Sequence, residues 1–200
     1  MKDERIKAVE FISDSHEYYY TDSNSHVKLC GVTTPIGELM GKTFPDTVVV
    51  QASTIYGHDV HSESELWIKE DREPSTEAGK WVVCFLKKYK ELNHVIKYEA
   101  ELLVSDFEGT ASCIDIVAHK ADGTVTLFDI KTTSHFDRPY CSLQLSVYKN
   151  LYEKCYGDKV TDMFVIATKS RRQFRILEQE KSKVRLILDI NRRKVCKTEQ

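Results

Sequence analysis

The residues with the clearest chemical potential are Asp115, Asp129 and Lys131. They lie in Ile114-Asp115-Ile116-Val117 and Leu127-Phe128-Asp129-Ile130-Lys131-Thr132, two apolar runs separated by a short polar segment. The runs read as adjacent strands, in which alternation puts Asp129 and Lys131 on one face and Ile130 on the other. Ala121-Asp122-Gly123 fits a three-residue hairpin loop, a type I turn closed by a left-handed glycine. That loop makes Lys120 face Thr124 and brings Asp115 directly opposite Asp129. A two-residue Asp-Gly loop would turn Asp115 away, because a slip of one residue inverts every side chain. Two carboxylates facing each other across a ladder repel, and a divalent cation between them relieves the repulsion. The chemistry expected is a metal site with a lysine beside it.

The elements that must position this group follow from pattern and punctuation. His16 to Tyr20 and Val27 to Leu29, around Asp22-Ser23-Asn24-Ser25, suggest a small hairpin in which Tyr18-Tyr19-Tyr20 pack. Val32-Thr33-Thr34-Pro35 reads as a helix start with a threonine cap and proline in the first turn. Helices are expected from about Val48 to Glu65 and from about Thr76 to Leu92, the second carrying Trp81, Phe85 and Tyr89 in one i, i+4 row. Val95 to Val104 reads as a strand leading into the hairpin. Pro139 opens a helix that Gly157 stops after Tyr156. Asp162 to Ala167 is a buried strand by its apolar run, Phe174 to Leu177 a further strand, and Val184 to Asn191 fits either strand or helix. The expected fold is α/β (α+β), a central mixed sheet flanked by helices, in one domain over residues 1–200. Within it, residues 1–93 form a hairpin and helical wall, 94–178 the core, and 179–200 an extension.

Composition narrows the function classes. Of 200 residues, 41% are hydrophobic and 30% charged, which suits a full-sized core. No apolar run is long enough to span a membrane, and Met1-Lys2-Asp3-Glu4-Arg5 is not followed by a signal-peptide core, so a cytoplasmic location is expected. Cys30, Cys84, Cys113, Cys141, Cys155 and Cys196 form no CxxC pair and are poorly spaced for zinc. They read as reduced thiols. The net charge of −2 does not advertise nucleic-acid binding. Even so, Lys87-Lys88, Lys169 with Arg171, Arg172 and Arg175, and Arg192-Arg193-Lys194 are local clusters able to follow phosphates.

Taken in order, Asp115, then Asp129-Ile130-Lys131-Thr132, then Gln144-Leu145-Ser146-Val147-Tyr148 resembles the PD-(D/E)XK nuclease superfamily in its RecB-like exonuclease branch. Val32-Thr33-Thr34 and Gly57-His58-Asp59-Val60-His61 resemble earlier motifs of that branch, including those of the phage-type and mitochondrial genome-maintenance exonucleases. The likeness covers roughly residues 16–170. Ser112 stands where the family usually has glycine, three residues before the upstream aspartate. The C-terminal cysteine trio of the iron–sulfur relatives is absent, so no cluster is expected.

The resemblance implies a restriction-endonuclease-like core and a Mg²⁺ or Mn²⁺ site with His61, Asp115, Asp129 and the carbonyl of Ile130 as ligands. Lys131 would lower the pKa of the attacking water or neutralise charge in the pentavalent state. Of two nearby histidines, the family pattern favours His61 over His58, and its imidazole tilts affinity toward Mn²⁺. An acidic residue is expected before the hairpin. Glu99 and Glu101 share a face by alternation, and Glu99 has the family's spacing from Asp115. Gln144 and Tyr148, one turn apart in a row with Tyr140 and Tyr152, would support the site and contact DNA, the ring by stacking on a base. The implied activity is a metal-dependent exodeoxyribonuclease acting on single-stranded ends. Its partners would be DNA and a recombinase, annealing protein or helicase. The alternatives are an inert DNA-binding module of the same fold and a structure-specific endonuclease.

Overall fold

The computed structural model describes residues 2–13, 15–23, 25–42 and 48–198. A 3₁₀ turn over Glu4–Ala8, capped by the Asp3 carboxylate on the amide of Arg5, leads into a three-stranded antiparallel sheet. Its strands are β1 (Val9–Ile12), β2 (Glu17–Thr21) and β3 (His26–Leu29). The expected hairpin is β2–β3; β1 is the addition, pairing Val9 with Tyr20 and Phe11 with Tyr18. Of the three consecutive tyrosines, Tyr18 turns inward and stacks on Phe11 at 4.8 Å between ring centroids.

Helix α1 (Thr33–Leu39) begins where the sequence suggests, but Val32 holds the cap position and no side chain caps it. Both threonines lie inside the first turn, where a hydroxyl cannot serve as N-cap. Helix α2 (Val48–Glu70) runs five residues past the expected end at Glu65. Helix α3 (Glu77–Leu92) is capped by Thr76, whose hydroxyl accepts from the amide of Gly79 at 3.0 Å. Glu63 of α2 accepts from the amides of Ser75 and Thr76, at 2.9 and 3.0 Å, and fixes α2 against that cap. The row Trp81, Phe85 and Tyr89 faces Phe128 and Phe164 of the main sheet.

The main sheet has five strands in the order β4 (Val95–Ser105), β5 (Ala111–Lys120), β6 (Val125–Lys131), β7 (Val160–Ala167) and β8 (Arg172–Arg175). All neighbours are antiparallel except β6 and β7, which run parallel and need a crossover. That crossover is α4 (Arg138–Tyr156), capped by Asp137, with Pro139 in its first turn and Gly157 left-handed at its end. Strand β7 starts two residues earlier than expected, and β8 lies two residues before the segment Phe174 to Leu177. The C-terminal segment is helix α5 (Lys181–Thr198), which resolves the ambiguity. Val184, Ile187, Leu188 and Val195 are buried along its inner side.

The sheet therefore carries a core on each face. Leu143, Leu145, Val147 and Leu151 of α4 pack with Val117, Leu127 and Val165 in one cluster. Val60 of α2 and Val82 and Leu86 of α3 pack with Ile116, Phe128, Ile130 and Ile166 in the other. Each fully buried side chain of this size contributes about 1.5–3 kcal/mol relative to exposure, so both helical layers are strongly held. The outcome is rigid strand ends at the carboxyl side of β6 and β7, the usual place for a site beside parallel strands. Among the described residues, no helix is long and apolar enough to cross a membrane.

Candidate metal centre

The hairpin between β5 and β6 has the register that its turn demands. Ile116 pairs with Phe128, Val117 with Leu127, Ala118 with Thr126 and His119 with Val125. The amide of Lys120 donates to the Thr124 carbonyl at 2.9 Å, and the amide of Gly123, at φ 79°, donates to the Lys120 carbonyl at 3.0 Å. Continued by one step, the register sets Asp115 opposite Asp129. There the regular ladder ends, because an Asp115 oxygen (Oδ2) accepts from the amide of Ile130 at 2.6 Å.

Asp115 also marks a break in the alternation of β5. Ile114 belongs to the α4-side core and Ile116 to the α2/α3-side core, although both should share a face. On β4, Ala100 pairs with Ile116 and Leu102 with Ile114, so Glu101 lies across from Asp115. Glu101 has φ 49°, a left-handed conformation that costs a residue with a Cβ roughly 1–3 kcal/mol. From that backbone its carboxylate reaches toward His61 and Asp115. Ligand atoms of His61, Glu101 and Asp115 all lie within 4.8 Å of one another and could hold a metal ion.

His61 reaches this group from α2. Its Nδ1 is 3.5 Å from Asp115 Oδ2 and 3.9 Å from Glu101 Oε1, while Nε2 is 3.2 Å from the Ile130 carbonyl oxygen. Burial pulls the imidazole pKa down, but the charges of Asp115, Glu101 and Asp129 outweigh it and push the value up to about 9. A proton on His61 thus answers the acidic charge, and a cation bound there must displace it. His58 is exposed one turn earlier. Gly57 brings α2 close to the end of β6: a Cβ there would sit 3.0 Å from the Thr132 hydroxyl.

The second half of the group is buried deeper. Asp129 is 1% exposed. Its Oδ1 accepts from Lys131 Nζ at 2.9 Å. Its Oδ2 accepts no hydrogen bond but lies 2.8 Å from the same ammonium as an ion pair. Burial raises the pKa of both Asp115 and Asp129, against the lowering effect of His61 and Lys131. For Lys131, burial disfavours the charge, but Asp129 and Asp115 reverse the effect and hold the ammonium charged. A buried carboxylate oxygen that accepts no hydrogen bond, two aspartates whose pKa burial raises and a nearby imidazole form a donor set that suits a divalent cation.

Behind the lysine runs a chain of hydrogen bonds in α4. Lys131 Nζ donates to Gln144 Oε1 at 3.4 Å, Gln144 Nε2 donates to the Tyr148 hydroxyl at 2.8 Å, and the Ser112 hydroxyl donates to the same oxygen at 3.3 Å. Ser112 thus has a polar partner.

The structure gathers Asp115, Asp129, Lys131, Ile130, His61 and Gln144 but departs from the sequence reading at two places. Glu99 does not join the group. Its carboxylate pairs with Lys97 at 2.6 Å and His119 at 2.7 Å, and the hydrogen bond from His119 leads in holding its pKa down at about 2. Glu101 occupies the position by the site instead, because its left-handed backbone breaks the alternation from which both glutamates were expected to share a face. Gln144 and Tyr148 are 4% and 3% exposed, so the ring is enclosed in the core and cannot stack on a base as expected. A groove of about 510 Å³ between α4 and α5 is lined by Ser146, Lys149, Lys181 and Leu188 among others and includes none of the cluster.

No protein-family model matches the chain, and no curated protein matches it in sequence. Among solved structures, it is similar to a "Putative exonuclease" from Eubacterium rectale, at 8% identity and a TM-score of 0.38, over 79% of this chain and 69% of that one. It is also similar to SSO0001, at 13% identity and a TM-score of 0.34, over 79% and 82% of the two chains. At these values the superposition is loose, and the functional case stands on the residues of the site.

Proposed function

We propose that this chain is a metal-dependent deoxyribonuclease of the PD-(D/E)XK type, an exonuclease of the RecB-like branch acting on single-stranded ends in recombination, repair or replication. What carries the reading is the convergence of Asp115, Asp129 and Lys131, in the order of that motif, with His61 and a strained Glu101 at one end of the sheet. His61, Glu101, Asp115, Asp129 and the Ile130 carbonyl would hold Mg²⁺ or Mn²⁺, with the imidazole favouring Mn²⁺. A bound cation supplies Lewis-acid polarisation of the phosphoryl oxygen and offsets the charge that develops on it.

The chain's own residues would supply the rest. Lys131, flanked by Asp129 and Asp115, acts as an ammonium and not as a proton acceptor, placing positive charge where the pentavalent phosphorus accumulates negative charge. Gln144 holds that ammonium by its carbonyl oxygen, because Tyr148 takes the amide nitrogen and leaves only one orientation. The amide of Ile130 fixes one oxygen of Asp115 and aims the carboxylate. Helix α2 walls one side of the strand ends and brings His61 with it.

The test is a time course on 5′- and 3′-labelled linear DNA and on circular DNA, with Mg²⁺, Mn²⁺ or chelator. The reading expects loss of linear strands from an end, with metal only, and survival of circles. Nicked or linearised circles would indicate an endonuclease instead, and no degradation of any substrate would indicate an inert binding module.

A further inference from the structure

The rim of the site where α2 meets the loop after β7 holds two residues that the mechanism does not use. Tyr56 precedes Gly57, the residue that abuts Thr132, and is 37% exposed. It stands five residues before His61 on α2, about 7.5 Å along the axis and roughly 140° around it, so it flanks the site and does not enter it. Lys169 follows Thr168, whose amide donates to the Lys131 carbonyl at 3.0 Å, so it is anchored to the same strand end. The Lys169 ammonium lies 5.4 Å from the centroid of the Tyr56 ring. Of the neighbouring cations, Arg171 pairs with Glu77 at 3.8 Å and Arg175 with Asp162 at 2.8 Å. Lys169 is exposed, and among the described residues no carboxylate pairs with it.

An exposed aromatic face and an acid-free ammonium, both tied to the strand that carries Asp129 and Lys131, match the two repeating parts of a nucleic-acid strand. We propose that Tyr56 and Lys169 form a subsite for single-stranded DNA next to the metal centre, the ring stacking on an unpaired base and the ammonium holding an adjacent phosphate. The inference rests on the nuclease reading and deepens it. Bases inside a duplex are stacked on both faces and only the terminal pair is open, so the subsite favours an unpaired strand. In the free protein Lys169 rests on the ring, and a strand would replace that contact with a base on one partner and a phosphate on the other.

The experiment measures binding of a labelled single-stranded oligonucleotide to the full chain by fluorescence anisotropy in EDTA, across a range of salt, with cleavage in Mn²⁺ measured in parallel. Tyr56→Ala should weaken binding about tenfold, the size of one base–aromatic stack, and Tyr56→Phe should restore it. The Tyr56→Ala loss should vanish on a strand that is abasic throughout. Lys169→Ala should weaken binding to both strands and lower the slope of log affinity against log salt by about 0.7, one phosphate of a single strand. Unchanged affinity in both variants, with wild-type cleavage intact, overturns the subsite alone. An equal Tyr56→Ala loss on the abasic strand overturns stacking. If the wild type cleaves nothing in Mn²⁺ while binding still depends on Tyr56 and Lys169, the nuclease reading fails and the subsite stands.

Discussion

Tyr148→Phe separates two accounts of the α4 row, because it removes one oxygen and keeps the ring. If the ring touched DNA, phenylalanine would be nearly neutral. In the structure that oxygen is the acceptor for Gln144 Nε2 at 2.8 Å and for the Ser112 hydroxyl at 3.3 Å, and all three residues are 5% exposed or less. A buried donor left without a partner costs about 1–3 kcal/mol. The Ser112 hydroxyl can rotate to seek another acceptor, but the Gln144 amide can do so only by releasing Lys131. We therefore expect urea denaturation to show a loss of about 2 kcal/mol, and strand cleavage to fall in kcat with KM unchanged. Removing both ends of the Gln144–Tyr148 bond leaves no unpaired amide donor, so Gln144→Leu with Tyr148→Phe should be less destabilised than the sum of the single variants. Wild-type stability and kcat in Tyr148→Phe would refute the reasoning.

Lys131→Ala should reduce cleavage by about two to three orders of magnitude, the usual loss for one preorganised transition-state donor. Calorimetry with Mn²⁺ should find affinity intact or tighter, since a competing cation has left Asp129; weaker Mn²⁺ binding would count against this arrangement. Glu99→Gln should leave cleavage unchanged and alter acid stability. The Glu99 carboxyl lies below its ordinary 4.5, at about 2, so its stabilisation is present above pH 4.5 and lost as pH falls toward 2. With 28% of the side chain in water, the shift is discounted for screening to about 1 kcal/mol, read as a gap between wild type and variant at pH 6 that narrows on acidification. Leu86→Ala empties a fully buried position between α3 and the sheet. It should cost about 2–5 kcal/mol in denaturation without changing Mn²⁺ affinity.

The parts of the site legible in the sequence are those governed by local turn chemistry. Gly123 supplies the left-handed residue of a three-residue loop, and that loop alone sets the register opposing Asp115 to Asp129. Pro139 and Gly157 bracket α4 for equally local reasons. What escaped depends on tertiary packing. A left-handed glutamate at 101 has no signature, since period-two alternation assumes a regular strand, and the glutamates then separate to different partners. Burial of Tyr148 is equally silent, because tyrosine on a helix row reads the same whether its hydroxyl meets water or Gln144. Helix α5 was readable in principle: Val184, Ile187, Leu188, Asn191 and Val195 follow helical spacing. The polar Asn191 falls in that row, and the structure buries it, with its amide donating to the Gly31 carbonyl and the Thr110 hydroxyl at 3.2 Å.

The most direct measurement is the initial rate of cleavage of a labelled single strand against Mn²⁺ concentration, for the wild type and for Asp115→Asn. The account predicts a rate that rises and saturates with Mn²⁺, vanishes in chelator and is lost in the variant at wild-type saturation. Cleavage that survives chelator, or an Asp115→Asn curve lying on that of the wild type, would contradict it.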